Sequence, residues 1–274
     1  KEEIGSIHTF LSHKMNWTPE ELNDYLSPEQ QDVLALMINQ FDKGETPYER
    51  GVLLGDTTGF GKGRPLMAFA AYCRMNDIFP VVFTLQDNLF SNLWADILDM
   101  NLQHVFQRPL LINAGSTIED TRKAGAKPLF PKIKTAELKN IIDTGEFSDE
   151  FGIIMLSYSQ LNTSNSLRQQ FLERLSENRN IATILDESQA IVEMSATTSV
   201  NVGLLIKNSY VSINSSATSA RHIQNMSSYI HIYPWLEDMT DYEASTMEKD
   251  KRLWLSSLSV EKAVASGRML RREH

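Results

Sequence analysis

Short apolar runs alternate with longer amphipathic stretches along most of this chain, and that rhythm limits the folds open to it. "GVLLGD", "FPVVFTL", "RPLLINA", "FGIIMLSY", "IATILDE" and "YVSINSSAT" read as strands. Between them, "RPLMAFAAYCRMN", "NLFSNLWADILDM", "TAELKNIIDTG", "NSLRQQFLERLSEN" and "VGLLIKN" carry helical patterns. Strands joined through helices run parallel, with helices covering both faces of the sheet. Strands buried on both sides read as near-continuous apolar runs, as these do. About six or seven strands in about 210 residues fit one doubly wound, mostly parallel α/β sheet.

The flanks read differently. Residues 1–24 form a helical lead-in, in which "WTPEEL" offers Thr18 as N-cap, Pro19 at the first helical position and Glu21 to close a capping box. "LSPEQQDVLALMINQF" repeats the device with Ser27, Pro28 and Gln30, followed by an apolar face of Leu34, Met37, Ile38 and Phe41. The α/β region runs over 25–235. Residues 115–135 are rich in Gly, Lys and Pro and read as an exposed loop. The tail, 236–274, is charged and helical in pattern, with no strand that would open a second sheet.

Composition narrows the function classes. A hydrophobic content of 42% and a charged content of 22% are those of an ordinary globular chain. No apolar run approaches the roughly 18 residues of a membrane span. The polar N-terminus is no signal peptide and lacks a starting Met, so the chain is expected to be a piece of a longer, intracellular protein. The one cysteine, Cys73, excludes an internal disulfide and a Cys-rich metal site. A net charge of −9 argues against a bulk nucleic-acid coat but leaves room for a local basic groove.

The stretch "GDTTGFGKGR" follows a strand and opens a helix, the context a phosphate-binding loop requires. Gly59, Gly61 and Gly63 let backbone N–H groups wrap an anion, and Lys62 can reach terminal phosphates. Asp56 and Gly63 depart from the G-x-x-x-x-G-K-[ST] pattern, so the stretch alone is equally a glycine-rich turn with one lysine. A second signal lies downstream. "IATILDESQ" is a strand ending in Asp186-Glu187, and the carboxyl ends of parallel strands are where open α/β sheets bind ligands. An Asp there holds Mg²⁺ in P-loop enzymes, and an adjacent Glu can act as general base toward water.

A third signal is Ser216-Ala217-Thr218 after the last strand. Together these segments resemble, in order, the first RecA-like lobe of superfamily-two helicases. The resemblance covers about residues 25–235. Asp56 to Gly63 is similar to motif I of the Swi/Snf-type translocases, "DESQ" to motif II and "SAT" to motif III. "LSPEQ" resembles the segment whose glutamine, here Gln30, recognises adenine. "VVFTLQDNLFSNLWADI" is similar to motif Ia, which touches the nucleic-acid strand, and "IIMLSYSQL" to a "TY..L" segment with Ser157 for the usual Thr. "GKGR", the "SATSARHIQNMSSYI" layout and "EKAVASGRML" resemble the strawberry notch family more narrowly, and Gly63 is what that branch carries. Its members include eukaryotic regulators and long phage and mobile-element proteins, some with a methyltransferase domain. A phage-encoded origin is one of the settings this resemblance allows.

The resemblance implies an ATP-dependent helicase or translocase lobe that needs ATP, Mg²⁺, nucleic acid (DNA ahead of RNA) and a second RecA-like lobe. It implies a nucleotide site of Gln30, Thr57, Thr58, Gly59, Phe60, Gly61, Lys62, Gly63 and Arg64. Lys62, Asp186, Glu187 and Gln189 would act in hydrolysis, with Asp186 as the metal residue. Ser216, Ala217 and Thr218 would couple the site to nucleic acid. Two departures matter: Gly63 brings no hydroxyl to Mg²⁺, and Gln189 replaces the usual His of motif II. They keep open an alternative, a hydrolysis-deficient DNA-docking or scaffold module; a small-molecule kinase is disfavoured by "SAT" and by the missing hydroxyl. The basic run "RKAGAKPLFPKIK", residues 122–134, is either a solvated loop or a DNA-backbone contact. The six histidines lack metal-ligand spacing, and Trp94 and Trp235 read as packing residues.

Overall fold

A computed structural model describes residues 5–55, 61–123, 125–194, 196–216, 261–262, 264–266 and 269–270. Every strand assigned from the sequence is present: β1 (Val52–Leu54), β2 (Phe79–Thr84), β3 (Arg108–Leu111), β4 (Phe151–Ser157), β5 (Ile181–Leu185) and β6 (Val211–Ser215). All pair in parallel, in the order β3-β4-β2-β5-β6-β1-β7. The seventh strand, β7 (Met269–Leu270), adds to β1 at the sheet edge. It lies in the tail, where the sequence pattern is helical. Two residues are too short to show a strand period, and only pairing with β1 identifies them.

Helices cover both faces, as the parallel connections require. One face carries α1 (Ile7–Met15), α2 (Pro19–Tyr25), α3 (Pro28–Lys43), α5 (Gly63–Met75), α6 (Phe90–Asp99) and α7 (Gln103–Phe106), packed on Val52, Leu54, Val82, Met155, Ile184 and Ile213. The other carries α8 (Thr135–Thr144), α9 (Leu167–Asn178), α10 (Ala190–Glu193) and α11 (Ala196–Lys207), packed on Val81, Phe83, Ile154, Leu156 and Leu185. A short α4 (Pro47–Arg50) leads into β1. Along β5, Ala182 and Ile184 enter the first core while Ile181 and Leu185 enter the second. That is the period-two alternation of a strand buried on both sides.

The lead-in shares the first core. Both capping boxes form, Thr18 with Glu21 and Ser27 with Gln30. Leu11, Met15, Leu22 and Leu26 are buried in the same cluster as α3 and α5. Because every strand runs the same way, the segments after β1, β2, β3, β4, β5 and β6 all emerge at one edge of the sheet. That edge gathers the stretches singled out in the sequence.

Candidate nucleotide site

The site is built on backbone links between neighbouring strand ends. Ser188, in the turn after β5, donates its N–H to the Ser215 carbonyl at 2.8 Å, and its hydroxyl reaches the same oxygen at 3.1 Å. Ser216 donates its N–H to the Leu54 carbonyl at the end of β1, at 2.9 Å. The ends of β1 and β6 and the turn after β5, which adjoin the glycine-rich stretch, "SAT" and the acidic pair in the sequence, are thereby stitched side by side. Ser188 and Ser216 are fully buried. Thr57, Thr58, Gly59, Phe60, Ala217 and Thr218 lie outside the described residues, as does Trp235.

Lys62 caps α5 with backbone already helical and with no side chain accepting from the first turn. The Lys62 side chain supplies no cap to the start of α5, and a helix N-terminus of this kind suits an anion. Gly61 before it has φ +63°, a left-handed conformation that glycine adopts without Cβ strain. Gln30 pins this turn: its Nε2 donates to the Gly61 carbonyl at 2.9 Å while its Oε1 accepts from Ser27 N–H at 3.0 Å. One side chain thus closes the cap of α3 and fixes the start of α5.

Across the edge, Lys62 Nζ lies 3.9 Å from Glu187 Oε1. The Lys62 side chain is almost buried and that of Glu187 is partly exposed. Gln189 Nε2 donates to the other oxygen, Glu187 Oε2. The remaining amide oxygen of Gln189, Oε1, is buried with no hydrogen-bond partner among the described residues. Asp186 is held above its ordinary carboxylate range, first by burial and then by the negative charge of Glu187, with Lys62 and a backbone hydrogen bond opposing. A buried carboxylate beside a second one suits a divalent cation, whose charge relieves both costs. The chemistry of this carboxylate pair is compatible with a divalent cation such as Mg²⁺. Glu187 has φ +52°, in the left-handed region that a residue with a Cβ enters at a cost.

Gly63 and Arg64 do something the sequence does not announce. A Cβ added at Gly63 would overlap Asp96 Oδ2 of α6. Arg64 engages the same helix, with Nε 3.5 Å from Asp96 and Nη2 2.8 Å from Asp99, while Nη1 donates to the Tyr25 carbonyl at 3.1 Å. Asp96 is nevertheless pushed up to about 6, because burial outweighs the Arg64 charge. The missing hydroxyl at 63 thus makes room for a carboxylate from the next helix.

The basic run is surface. Arg122, Lys123, Lys127, Lys132 and Lys134 are exposed, yet their loop is anchored. Ser116 Oγ donates to Asp87 at 2.6 Å, Glu119 N–H to Ser91 Oγ at 3.0 Å, and Ile118 bridges Phe130. Phe130 packs edge-on against buried Trp94, with ring centroids 4.9 Å apart. The loop is fastened to the segment after β2 that resembles motif Ia. Among the described residues no helix is long and apolar enough to cross a membrane, and no group of His, Cys, Asp and Glu is placed to hold a metal by itself.

No protein-family model matches the chain, and no curated protein sequence does. Solved structures do. The SWI2/SNF2 ATPase core domain of Sulfolobus solfataricus aligns with a TM-score of 0.56 at 16% identity, covering 90% of this chain and 43% of that one. The same organism's SWI2/SNF2 ATPase core in complex with dsDNA aligns with a TM-score of 0.54 at 16% identity, covering 90% and 44%. The fold is the RecA-like fold of those cores, and this chain spans less than half of their length.

Proposed function

We propose that this chain is the first motor lobe of an ATP-dependent nucleic-acid translocase of strawberry notch type, working with a second RecA-like lobe inside cells. The observation that carries the reading is the meeting of Lys62 with the Asp186–Glu187 turn across the C-terminal edge of the sheet, where Lys62 Nζ lies 3.9 Å from Glu187 Oε1. The likeness of fold to SWI2/SNF2 ATPase cores, one of them solved with dsDNA, supports it. The strawberry notch assignment rests on "GKGR" and the layout after "SAT".

In this reading the N-terminus of α5 and Lys62 receive the β- and γ-phosphates of ATP, and Gln30 holds that turn near the adenine side. Glu187 accepts the proton of the attacking water, since a carboxylate with an exposed edge can reach it. Gln189 holds one oxygen of Glu187 by a hydrogen bond, and the Lys62 charge stands near the other. Asp186 would hold Mg²⁺, which when bound neutralises charge on the phosphate oxygens. Ser216, locked to Leu54, carries movement of the strand end after β6 to the loop before α5. The exposed lysines and arginines of 122–134 meet the phosphates of nucleic acid, DNA ahead of RNA, placing positive charge where an acidic chain otherwise lacks it.

The test uses the full-length protein. Lys62→Ala should lose most ATP affinity in calorimetry. Glu187→Gln should bind ATP normally and lose about 10²–10⁴-fold in turnover, the usual worth of a general base. Equal affinity in wild type and Lys62→Ala would sink the phosphate assignment. A second reading, a docking lobe without hydrolysis, is favoured by the hydrogen bond of Gln189 to the base and by the missing hydroxyl at 63. A wild-type protein that binds DNA and ATP but never releases phosphate would establish it.

A further inference from the structure

We propose that Tyr158 is a positioning residue for ATP hydrolysis, and that Asn113 ties its hold on the acidic turn to the basic loop, so that nucleic acid on the loop is felt at Glu187. The inference rests on the ATPase reading above. It starts from the backbone of Glu187, which sits in the left-handed region at φ +52°. Such a conformation persists only where neighbours over-determine it. The peptide that leads into Glu187 is the one whose carbonyl belongs to Asp186. Peptides are planar, so fixing that carbonyl fixes the plane from which Glu187 turns.

Tyr158 Oη donates to the Asp186 carbonyl at 2.8 Å. The tyrosine is fully buried and its ring stacks on Phe83, with centroids 5.6 Å apart and planes 18° apart. Phe83 in turn accepts, through its own carbonyl, the N–H of Asp186 at 3.0 Å. The stacked pair therefore grips Asp186 by both its N–H and its C=O. A rigid ring with its hydroxyl aimed at a backbone oxygen is a fixed strut, not a group that rotates to suit.

The strut begins next to the basic loop. Ser157, the residue before Tyr158, is clamped twice by Asn113: Asn113 Nδ2 donates to Ser157 Oγ at 2.8 Å, and Ser157 N–H donates to Asn113 Oδ1 at 3.0 Å. Asn113 opens the loop that carries Arg122, Lys123, Lys127, Lys132 and Lys134, all exposed. Ser116 three residues on fastens the loop to Asp87. A pull on this loop reaches Ser157 through two hydrogen bonds, then Tyr158 through one peptide, then the Asp186–Glu187 peptide.

The experiment uses the full-length protein, with a double-stranded DNA oligonucleotide as probe. Tyr158→Phe keeps the ring and its stack and removes only the hydroxyl. It should speed amide hydrogen exchange over 186–189 and lower kcat about tenfold, the rate equivalent of one lost hydrogen bond, with KM for ATP unchanged. Asn113→Ala should lose most of the stimulation of kcat by DNA, a larger fold-loss than any fall in the kcat measured without DNA. Wild-type exchange and kcat in Tyr158→Phe would overturn the strut. So would a parallel fall in melting temperature, ATP affinity and turnover, which is what a merely structural tyrosine would give. Full DNA stimulation in Asn113→Ala would overturn the link to the loop. A wild-type protein that releases no phosphate would overturn the ATPase reading instead, and the exchange rates would still decide whether Tyr158 holds the turn.

Discussion

At the scale of single residues, Gly63 is the position where motif and structure part company. Restoring the motif with Gly63→Ser should harm the protein, because the new Cβ enters the space of Asp96 Oδ2. Overpacking of this kind costs about 1–3 kcal/mol. Asp96→Ala should recover most of the loss, since it removes the obstacle, and a double-mutant cycle on thermal melts measures the coupling. Additive effects would mean that the two residues do not meet. Asp96 also sets a pH dependence. Its carboxyl is raised from 3.8 to about 6, so the folded state holds this proton more tightly than the unfolded chain. The stability it contributes is fully present below about pH 4 and is lost as pH rises through about 6. The variant Asp96→Asn does not titrate. Its melting temperature relative to wild type should climb across that window and stay level above it; a constant difference from acid to neutral pH would contradict the assignment.

Elements explain what a sequence shows and what it hides. The core strands were legible because each is a complete apolar run, and the caps of α2 and α3 because Ser or Thr, Pro and Glu or Gln stand at fixed offsets. The edge strand Met269–Leu270 was hidden because its evidence is a partner strand and not a pattern. Lys62, Asp186 and Glu187 could be named from their places after strands, since the topology brings those places together. Asp96, Tyr158 and Asn113 could not, because each acts across elements distant in the chain; the tyrosine after β4 was visible, but its hydrogen bond to Asp186 was not. The loop 115–135 reads as exposed, and most of it is, but Ile118 and Ser116 are buried and anchor it. Anchoring makes its charge a fixed surface. Reversing Lys127 and Lys132 to Glu should weaken DNA binding and flatten its dependence on salt, because each phosphate contact releases counterions. Equal salt slopes for wild type and variant would show that the loop is merely solvated.

For the whole molecule, the central claim is a motor lobe that needs a partner. Phosphoryl transfer depends on positioned charge, and an arginine finger contributes about 10³–10⁵ in rate. This chain spans less than half of the ATPase cores it resembles, and neither Arg221 nor Arg268, which follow the "SAT" segment, stands in a sequence pattern that marks such a finger. The reading therefore places the finger on a second lobe. The most direct measurement is phosphate release from ATP by this chain alone and by the full-length protein, with and without double-stranded DNA, across a salt series. The account predicts almost no release by the chain alone. For the full-length protein it predicts DNA-stimulated release that declines as salt screens the phosphate contacts. A full-length protein that binds DNA yet stays silent toward ATP, or an isolated chain that hydrolyses it rapidly, would contradict the account.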